Sequence, residues 1–316
     1  MNRRRALSTL ALTAALGLSL SACSSSDEAA TGDGGTAAAA DPIVIATTNF
    51  TETKILATMY QQILDKNGQP SSIKELTTRE VIAPALESGE VQLTPEYLGS
   101  LTEFLNKATN GPDAEQVASG DIQATLGAAR SLAEPKSITL LEPSAAQDQN
   151  AFAVTQDFAT ANSLTTLSEL GSYSQANPIA LGGPPECPER PFCQPGLEST
   201  YGVSVDTFVP LDAGGPLTIQ ALNQGKVDVG LVFSSSGSVT ANDLVVLADD
   251  KELQTAENIV PALHTPAVTD TITAALDSVS AVLTTDDLQT MNAAVEIDRK
   301  DPSTVASDYL TSKGLL

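Results

Sequence analysis

Two aromatic residues stand at the ends of two similar stretches, ALESGEVQLTPEYLGS at residues 85–100 and ALNQGKVDVGLVFSSS at residues 221–236. Aligned without a gap, Ala85, Leu86, Gly89, Val91 and Ser100 meet Ala221, Leu222, Gly225, Val227 and Ser236, while Tyr97 falls on Phe233. Each copy reads as one unit. An apolar pair closes a helix, a Gly supplies the left-handed residue just past its end, and a short apolar alternation makes a strand. Ligands of open α/β sheets collect at the carboxyl ends of strands, so the repeat puts Tyr97 and Phe233 at the ligand-binding edges of two separate sheets. Chance recurrence of a common helix-Gly-strand unit is the alternative. Arg79 opens the helix before the first copy, where it can reach an anionic ligand group or stay at the surface. Gly214 and Gly215 hold the corresponding entrance before the second copy, where exposed backbone N–H groups can receive a carboxylate. Enzyme chemistry is poorly provided for. No G-x-S-x-G, H-E-x-x-H or phosphate loop occurs, and the single His, His264, is expected to be structural or exposed. Carboxylate pairs remain as the catalytic option, behind a reading with no enzyme activity and no cofactor.

The chain has 316 residues, 41% of them hydrophobic, enough for a sizeable core in about two domains. Its formal charge of −23 argues against nucleic acid, whose phosphates need Lys and Arg. Residues 1–22 open with Arg3, Arg4 and Arg5, run through an apolar stretch too short and Ala-rich for a membrane span, and end in small residues. That is an export signal. Its end, Leu20-Ser21-Ala22-Cys23, resembles the bacterial lipobox, in which the Cys is lipidated and becomes the new N-terminus. Removing residues 1–22 lowers the 16 Lys and Arg to 13 against 39 acids, a net charge of −26. Residues 23–42 are small, polar and Gly-rich, and read as a flexible tether reaching roughly 25 Å. With Cys23 assigned to lipid, Cys187 and Cys193 remain as a pair in an exported protein, and a disulfide is expected. A metal site is the competing reading, but one His and two Cys fall short of a zinc set.

The elements that must position these residues are of α/β type. Residues 43–46 read as a buried strand, and about 51–66 as a helix with Ile55, Met59 and Ile63 on one face and Gly68 past its end. A strand at SSIKEL, a helix entered through Thr77 or Thr78 and a strand at EVQLTPEY follow, then helical signals over about 113–132. Strands at ITLLEP and AFAVT flank SAAQDQN. A second α/β run brings PIALGG, the loop and helix LDAGGPLTIQALNQG, KVDVGLVF and DLVVLADD. After the extended NIVPALH come two or three helices, the last opened by Asp301-Pro302. If each repeat belongs to one lobe, residues 43–147 and 258–316 form the first and residues 148–257 the second. Two crossing segments then make a hinge.

Five segments in order carry a family resemblance: Asn49-Phe50-Thr51-Glu52, PALESGEVQLTPEYLGS, RPFCQPGLESTYG, LDAGGPLTIQALNQGKVDVGLVFSS and DLVVLADDK. From about residue 43 to the C-terminus the chain resembles the substrate-binding proteins of osmoprotectant ABC transporters, those for glycine betaine, choline and proline betaine. The resemblance implies a type II periplasmic-binding fold whose lobes close over a small solute. It also implies a membrane permease with a cytoplasmic ATPase as partners, and a monomer held by its N-terminal lipid on the extracytoplasmic face of the membrane. A permanent cation with no hydrogen to donate is best held by aromatic faces, and the family supplies a Tyr cage. Tyr97 matches one of its members, and Ser100 matches a Thr that can bind the ligand's carboxylate. Asn150, Phe233 and Gln194 fall at or near positions where aromatic residues are common, and Thr48 and Thr53 stand where Lys and Gln are. Asn49 can serve as a helix N-cap, as a ligand contact, or as both. The weakened cage leaves glycine betaine in question beside an amino-acid-like or aromatic solute, and a ligand-free lipoprotein of envelope assembly is the rival from another class. Replacing Cys23 by Ser removes the thiol that would carry lipid, so Cys23→Ser should move the protein from the membrane fraction to the medium. Retention in the membrane fraction would place the anchor elsewhere.

Overall fold

The computed structural model describes residues 42–316 apart from 186 and 213, so Cys23 and the leader lie outside the described residues. Ten strands occur among the described residues. Before the first crossing of the chain come β1 (Ile43–Thr47), β2 (Ser71–Glu75), β3 (Leu93–Tyr97) and β4 (Ile138–Leu140). Between the crossings lie β5 (Asn150–Thr155), β6 (Ile179–Gly183), β7 (Val205–Pro210), β8 (Val229–Phe233) and β9 (Leu244–Leu247), and β10 (Ile259–His264) follows the second. They form two five-stranded sheets, ordered β2-β1-β3-β10-β4 and β7-β6-β8-β5-β9.

The two sheets are wired alike, which gives the sequence repeat its meaning. In the first, β1 runs parallel to β2 and β3, while β10 is antiparallel to both β3 and β4. In the second, β6 runs parallel to β7 and β8, while β5 is antiparallel to both β8 and β9. The repeated segments therefore supply the middle strand of each sheet, β3 and β8. Each antiparallel intruder is the strand that has just crossed from the other lobe. Gly89 and Gly225 have φ of 75° and 63°, the left-handed conformation that the repeat predicts.

The first lobe carries α1 (Thr51–Lys66), α2 (Arg79–Ser88), α3 (Leu98–Asn110) and α4 (Ile122–Ala133). The second carries α5 (Gln156–Asn162), α6 (Leu167–Ser174), the single turn α7 (Gln194–Gly196), α8 (Pro216–Asn223) and α9 (Gly237–Ala241). Three C-terminal helices, α10 (Asp270–Ser280), α11 (Thr285–Glu296) and α12 (Pro302–Ser312), return to the first sheet. There Ile272, Leu276, Leu288 and Leu310 share one core with Ile45, Leu93 and the Ile55–Met59–Ile63 face of α1. A separate core joins Phe152, Leu181, Val229 and Leu247 in the second lobe. Asp301 accepts from the Ser303 N–H at 2.8 Å and Pro302 opens α12, as the sequence predicts. The helical signal over 113–132 narrows to α4, capped by Asp121. The helix α3 was not expected, because it leaves β3 directly from Tyr97 with no side-chain cap to announce it.

The two crossing segments lie side by side. Gln147 and Asn258 form an antiparallel bridge, flanked by Asp148 N–H to Glu257 O at 3.1 Å and Ser144 N–H to Ile259 O at 2.9 Å. Beyond this hinge, α9 of the second lobe seats on α11 of the first. The approach is close: a Cβ on Gly237 would stand 2.3 Å from Ala293 N and 2.6 Å from Ala293 Cα. Gly237→Ala must push α9 off α11, and overpacking of this kind costs about 1–3 kcal/mol. Urea unfolding of the ligand-free variant should register that loss, and unchanged stability would show the α9–α11 seat to be loose.

Candidate ligand-binding cleft

A cleft of about 450 Å³ opens between the lobes. The first lobe lines it with Arg79, Ser100, Glu103, Phe104 and Lys107, the crossing segments with Asp148, Gln149 and Glu257, and the second lobe with Asn150, Phe192 and Phe233. Phe233 ends β8, is 38% exposed and turns toward the cleft it lines. Asn150 stands beside it as its register partner on β5. Phe192 arrives from the loop that the Cys187–Cys193 disulfide closes, with Cα atoms 5.2 Å apart and both cysteines buried. Its carbonyl accepts from Gln254 Nε2 at 2.9 Å. The bridge thus fixes a ring at the cleft.

Not all expected residues meet there. Tyr97 lines a smaller compartment of about 220 Å³ with Thr48, Thr53, Phe50 and Glu96, and Arg79 borders both spaces. The Tyr97 hydroxyl donates to Glu52 Oε1 at 2.9 Å, and its ring packs against the first lobe's core. Tyr97 and Phe233 hold equivalent places in their sheets but line different compartments. Thr48 and Thr53 hydroxyls bond each other at 2.9 Å. Asn49 accepts from Lys54 Nζ at 2.6 Å and does not cap α1, whose N-cap is Phe50. Gln194 donates to Glu198 at 2.7 Å and lines neither compartment. Phe192, two residues earlier, lines the cleft where Gln194 does not. It was missed although it stands beside Cys193 in RPFCQPG, where a bridged loop is a signal for a fixed side chain. Phe104 was hidden with α3, and Glu257 lies in a stretch with no motif. His264 is structural: its Nδ1 lies 2.9 Å from Leu86 O, and its ring fills the space beside Gly89.

Carboxylates of the chain itself occupy the places that could receive an anion. Arg79 is held by Glu96 through Nε at 3.1 Å to both oxygens and Nη2 at 2.7 Å to Oε2. At the start of α3, the Ser100 N–H and hydroxyl donate to Glu257 at 3.0 and 2.8 Å. Burial pushes the Glu257 carboxyl up, while the Ser100 donors and the Arg79 guanidinium pull it back. The α8 entrance at Gly214 and Gly215 is also taken. Asp212 accepts from the Leu217 and Thr218 N–H groups at 3.0 and 2.9 Å, so the expected open site there carries an internal acid. Burial favours the neutral form of Asp212, but these N–H groups hold its pKa below the ordinary value.

Glu52 is fully buried, and its partner Asn292 also reaches the second lobe. Asn292 Nδ2 donates to Glu52 Oε2 at 2.7 Å and to Ser235 O at 2.9 Å. Burial first, then the Asp148 charge, raises Glu52 from an ordinary 4.5 to about 7, and burial raises Asp148 from 3.8 to about 6. Burial and the same two acids push the Tyr97 hydroxyl well above its usual value, so it stays a donor. Asp148 Oδ1 and Asn292 Oδ1 are buried without a hydrogen-bond partner, which adds to the cost of charge in this cluster. The folded state binds these protons more tightly than the unfolded chain. Their contribution to stability is therefore full below the unfolded values and is lost as pH rises through about 6 and 7. Glu52→Gln fixes the neutral form, so the variant should gain stability relative to the parent as pH rises from about 5 to 7.5. A gap that stays constant across that range, measured by urea unfolding, would show that Glu52 does not titrate there.

Residues 41–312 match the family model for the substrate-binding domain of ABC-type glycine betaine transport systems. The chain is 29% identical over 286 residues to the glycine betaine-binding protein YehZ of Escherichia coli K12, covering 87% of this chain and 92% of that one. It is 26% identical over 290 residues to a glycine-betaine-binding protein of Pseudomonas aeruginosa, covering 88% and 90%. The solved structure of apo YehZ from E. coli matches with a TM-score of 0.78 at 28% identity, over 88% of this chain and all of that one. With its paired sheets, shared wiring and interlobe cleft, the chain belongs to the family of substrate-binding domains of ABC-type glycine betaine transport systems.

Proposed function

We propose that this protein is a lipid-anchored, extracytoplasmic receptor that captures a small quaternary ammonium solute between its lobes. It passes the solute to a membrane permease driven by a cytoplasmic ATPase. The observation that carries the reading is the set of phenyl rings, Phe104, Phe192 and Phe233, in a cleft that also holds Glu103, Asp148 and Glu257. A methylated ammonium cannot donate a hydrogen bond, so it gains from ring faces and nearby negative charge, each ring contributing about 0.5–2 kcal/mol.

Closure follows from the hinge. Residues 43–147 with 258–316 form one lobe and residues 148–257 the other, turning about the paired crossing strands. Phe233 and Phe192 ride on the second lobe, Phe104 and Ser100 on the first, so closing removes water from the solute and strengthens every contact inside. Cys23 supplies the anchor and residues 23–42 the tether, which lets a monomeric body dock on the permease. The net charge keeps that body off an anionic surface except at the tether.

A thermal-shift screen with choline, glycine betaine, carnitine, amino acids and aromatic solutes tests the class. A bound solute at 100 times its dissociation constant adds about 2.7 kcal/mol to stability. Phe233→Ala should weaken binding of the active solute by about 1–2 kcal/mol. Ligand-free melting should hardly change, because the ring is partly exposed, whereas a core ring lost costs about 3–5 kcal/mol. A screen in which only amino acids or aromatic solutes stabilise the protein would replace this reading, and no shift with any solute would favour envelope assembly.

A further inference from the structure

We infer that Glu257 takes the place of a ligand carboxylate inside the cleft, and so selects a quaternary ammonium cation that has no carboxylate of its own over a zwitterionic betaine. This deepens the receptor reading and rests on it.

A betaine brings two ends to a site. Its ammonium wants rings and negative charge, and its carboxylate wants N–H donors, a guanidinium or a helix N-terminus. In this chain the first three N–H groups of the 13-residue α3 are all taken by the second crossing segment. Leu98 N–H donates to Asn258 O at 3.0 Å, Gly99 N–H to Ala256 O at 2.8 Å, and Ser100 N–H to Glu257 Oε2 at 3.0 Å. The Ser100 and Thr255 hydroxyls hold Glu257 Oε1 at 2.8 and 3.3 Å. Glu257 therefore sits on α3 as a ligand's carboxylate would.

The other receivers are closed in the same way. Arg79 spends its Nε and Nη2 on Glu96, and the N-terminus of α8, beside Phe233, is capped by Asp212. Beyond these the lining offers Lys107, which is exposed and solvated, and the neutral amides of Asn150 and Gln149, which bring no positive charge to a carboxylate. A betaine carboxylate would enter a space that already holds Glu103, Asp148 and Glu257, and would have to expel one of them from its donors. A cation without a carboxylate meets three acids and three rings, and its charge favours the ionised form of Glu257.

Isothermal titration of the full, exported chain with choline and with glycine betaine tests this. The wild type should bind choline about ten-fold or more tighter than glycine betaine. Glu257→Gln keeps an oxygen for the Ser100 N–H but removes the charge, so choline should weaken by about ten-fold while glycine betaine holds or improves, collapsing the ratio. Wild-type preference for glycine betaine, or equal affinity, overturns the inference and leaves the receptor reading standing. A choline preference that survives in Glu257→Gln overturns the role of Glu257. Binding of neither probe overturns this inference, and the receptor reading is then decided by the wider solute screen. If Glu257→Gln does not fold, the wild-type ratio decides, joined by choline's uncharged carbon isostere 3,3-dimethyl-1-butanol. The isostere should bind about ten-fold or more weakly than choline, and equal binding would overturn the inference.

Discussion

Thirty-nine carboxylates share this chain with 16 Lys and Arg, so most acids must be satisfied without a base. The donors left to them are hydroxyls and backbone N–H groups, and spare N–H groups gather at helix starts. The structure uses those places repeatedly. Asp121 caps α4 and Asp301 caps α12, Glu169 and Thr166 form a capping box on α6, and Thr284 and Asp287 form another on α11. Asp212 on α8 and Glu257 on α3 belong to the same pattern, but the start of α3 also lines the candidate cleft and the start of α8 lies beside Phe233. A general remedy for surplus charge thereby shapes the lining of the cleft.

Duplicate wiring does not bring duplicate chemistry. Tyr97 and Phe233 close the middle strands of matching sheets, yet one faces a buried acid and the other faces water. The difference lies in the partners. Glu52, at the start of α1, is buried and needs a donor, and the hydroxyl of Tyr97 supplies it. A Phe at that position would leave the Glu52 oxygen short of a hydrogen bond, at a cost of about 1–3 kcal/mol. At the end of β8 no buried acid waits, and a plain phenyl ring serves.

Much of the fold was legible because its signals are local. The strand at β1, the Ile55, Met59 and Ile63 stripe of α1, the Gly residues past helix ends and the Asp301-Pro302 start are each set by neighbours in sequence. The repeat carried more, since two equal segments imply two equal sheets. The site was less legible. Helix α3 has no capping residue, so Phe104 could not be placed. Glu257 and Ser100 are 157 residues apart, and only the pairing of the two crossing segments brings them together. Asn49 looked like a cap because Asn is a common one, but Lys54 reaches it first and Phe50 takes the cap position. Contacts made by the hinge are the ones that sequence patterns do not announce.

The same hinge constrains how the lobes can move. Asn292 Nδ2 bonds Glu52 in the first lobe and the Ser235 carbonyl in the second, both out of contact with water. Sliding α9 along α11 would strip that donor from its acceptors and press Gly237 into Ala293. The Gln147–Asn258 bridge adjoins Asp148, whose charge acts on Glu52, so the crossing segments and the buried contact belong to one cluster. The buried acid cluster and the rings thus share one space: Asp148 belongs to the cluster and lines the same cleft as Phe104, Phe192 and Phe233.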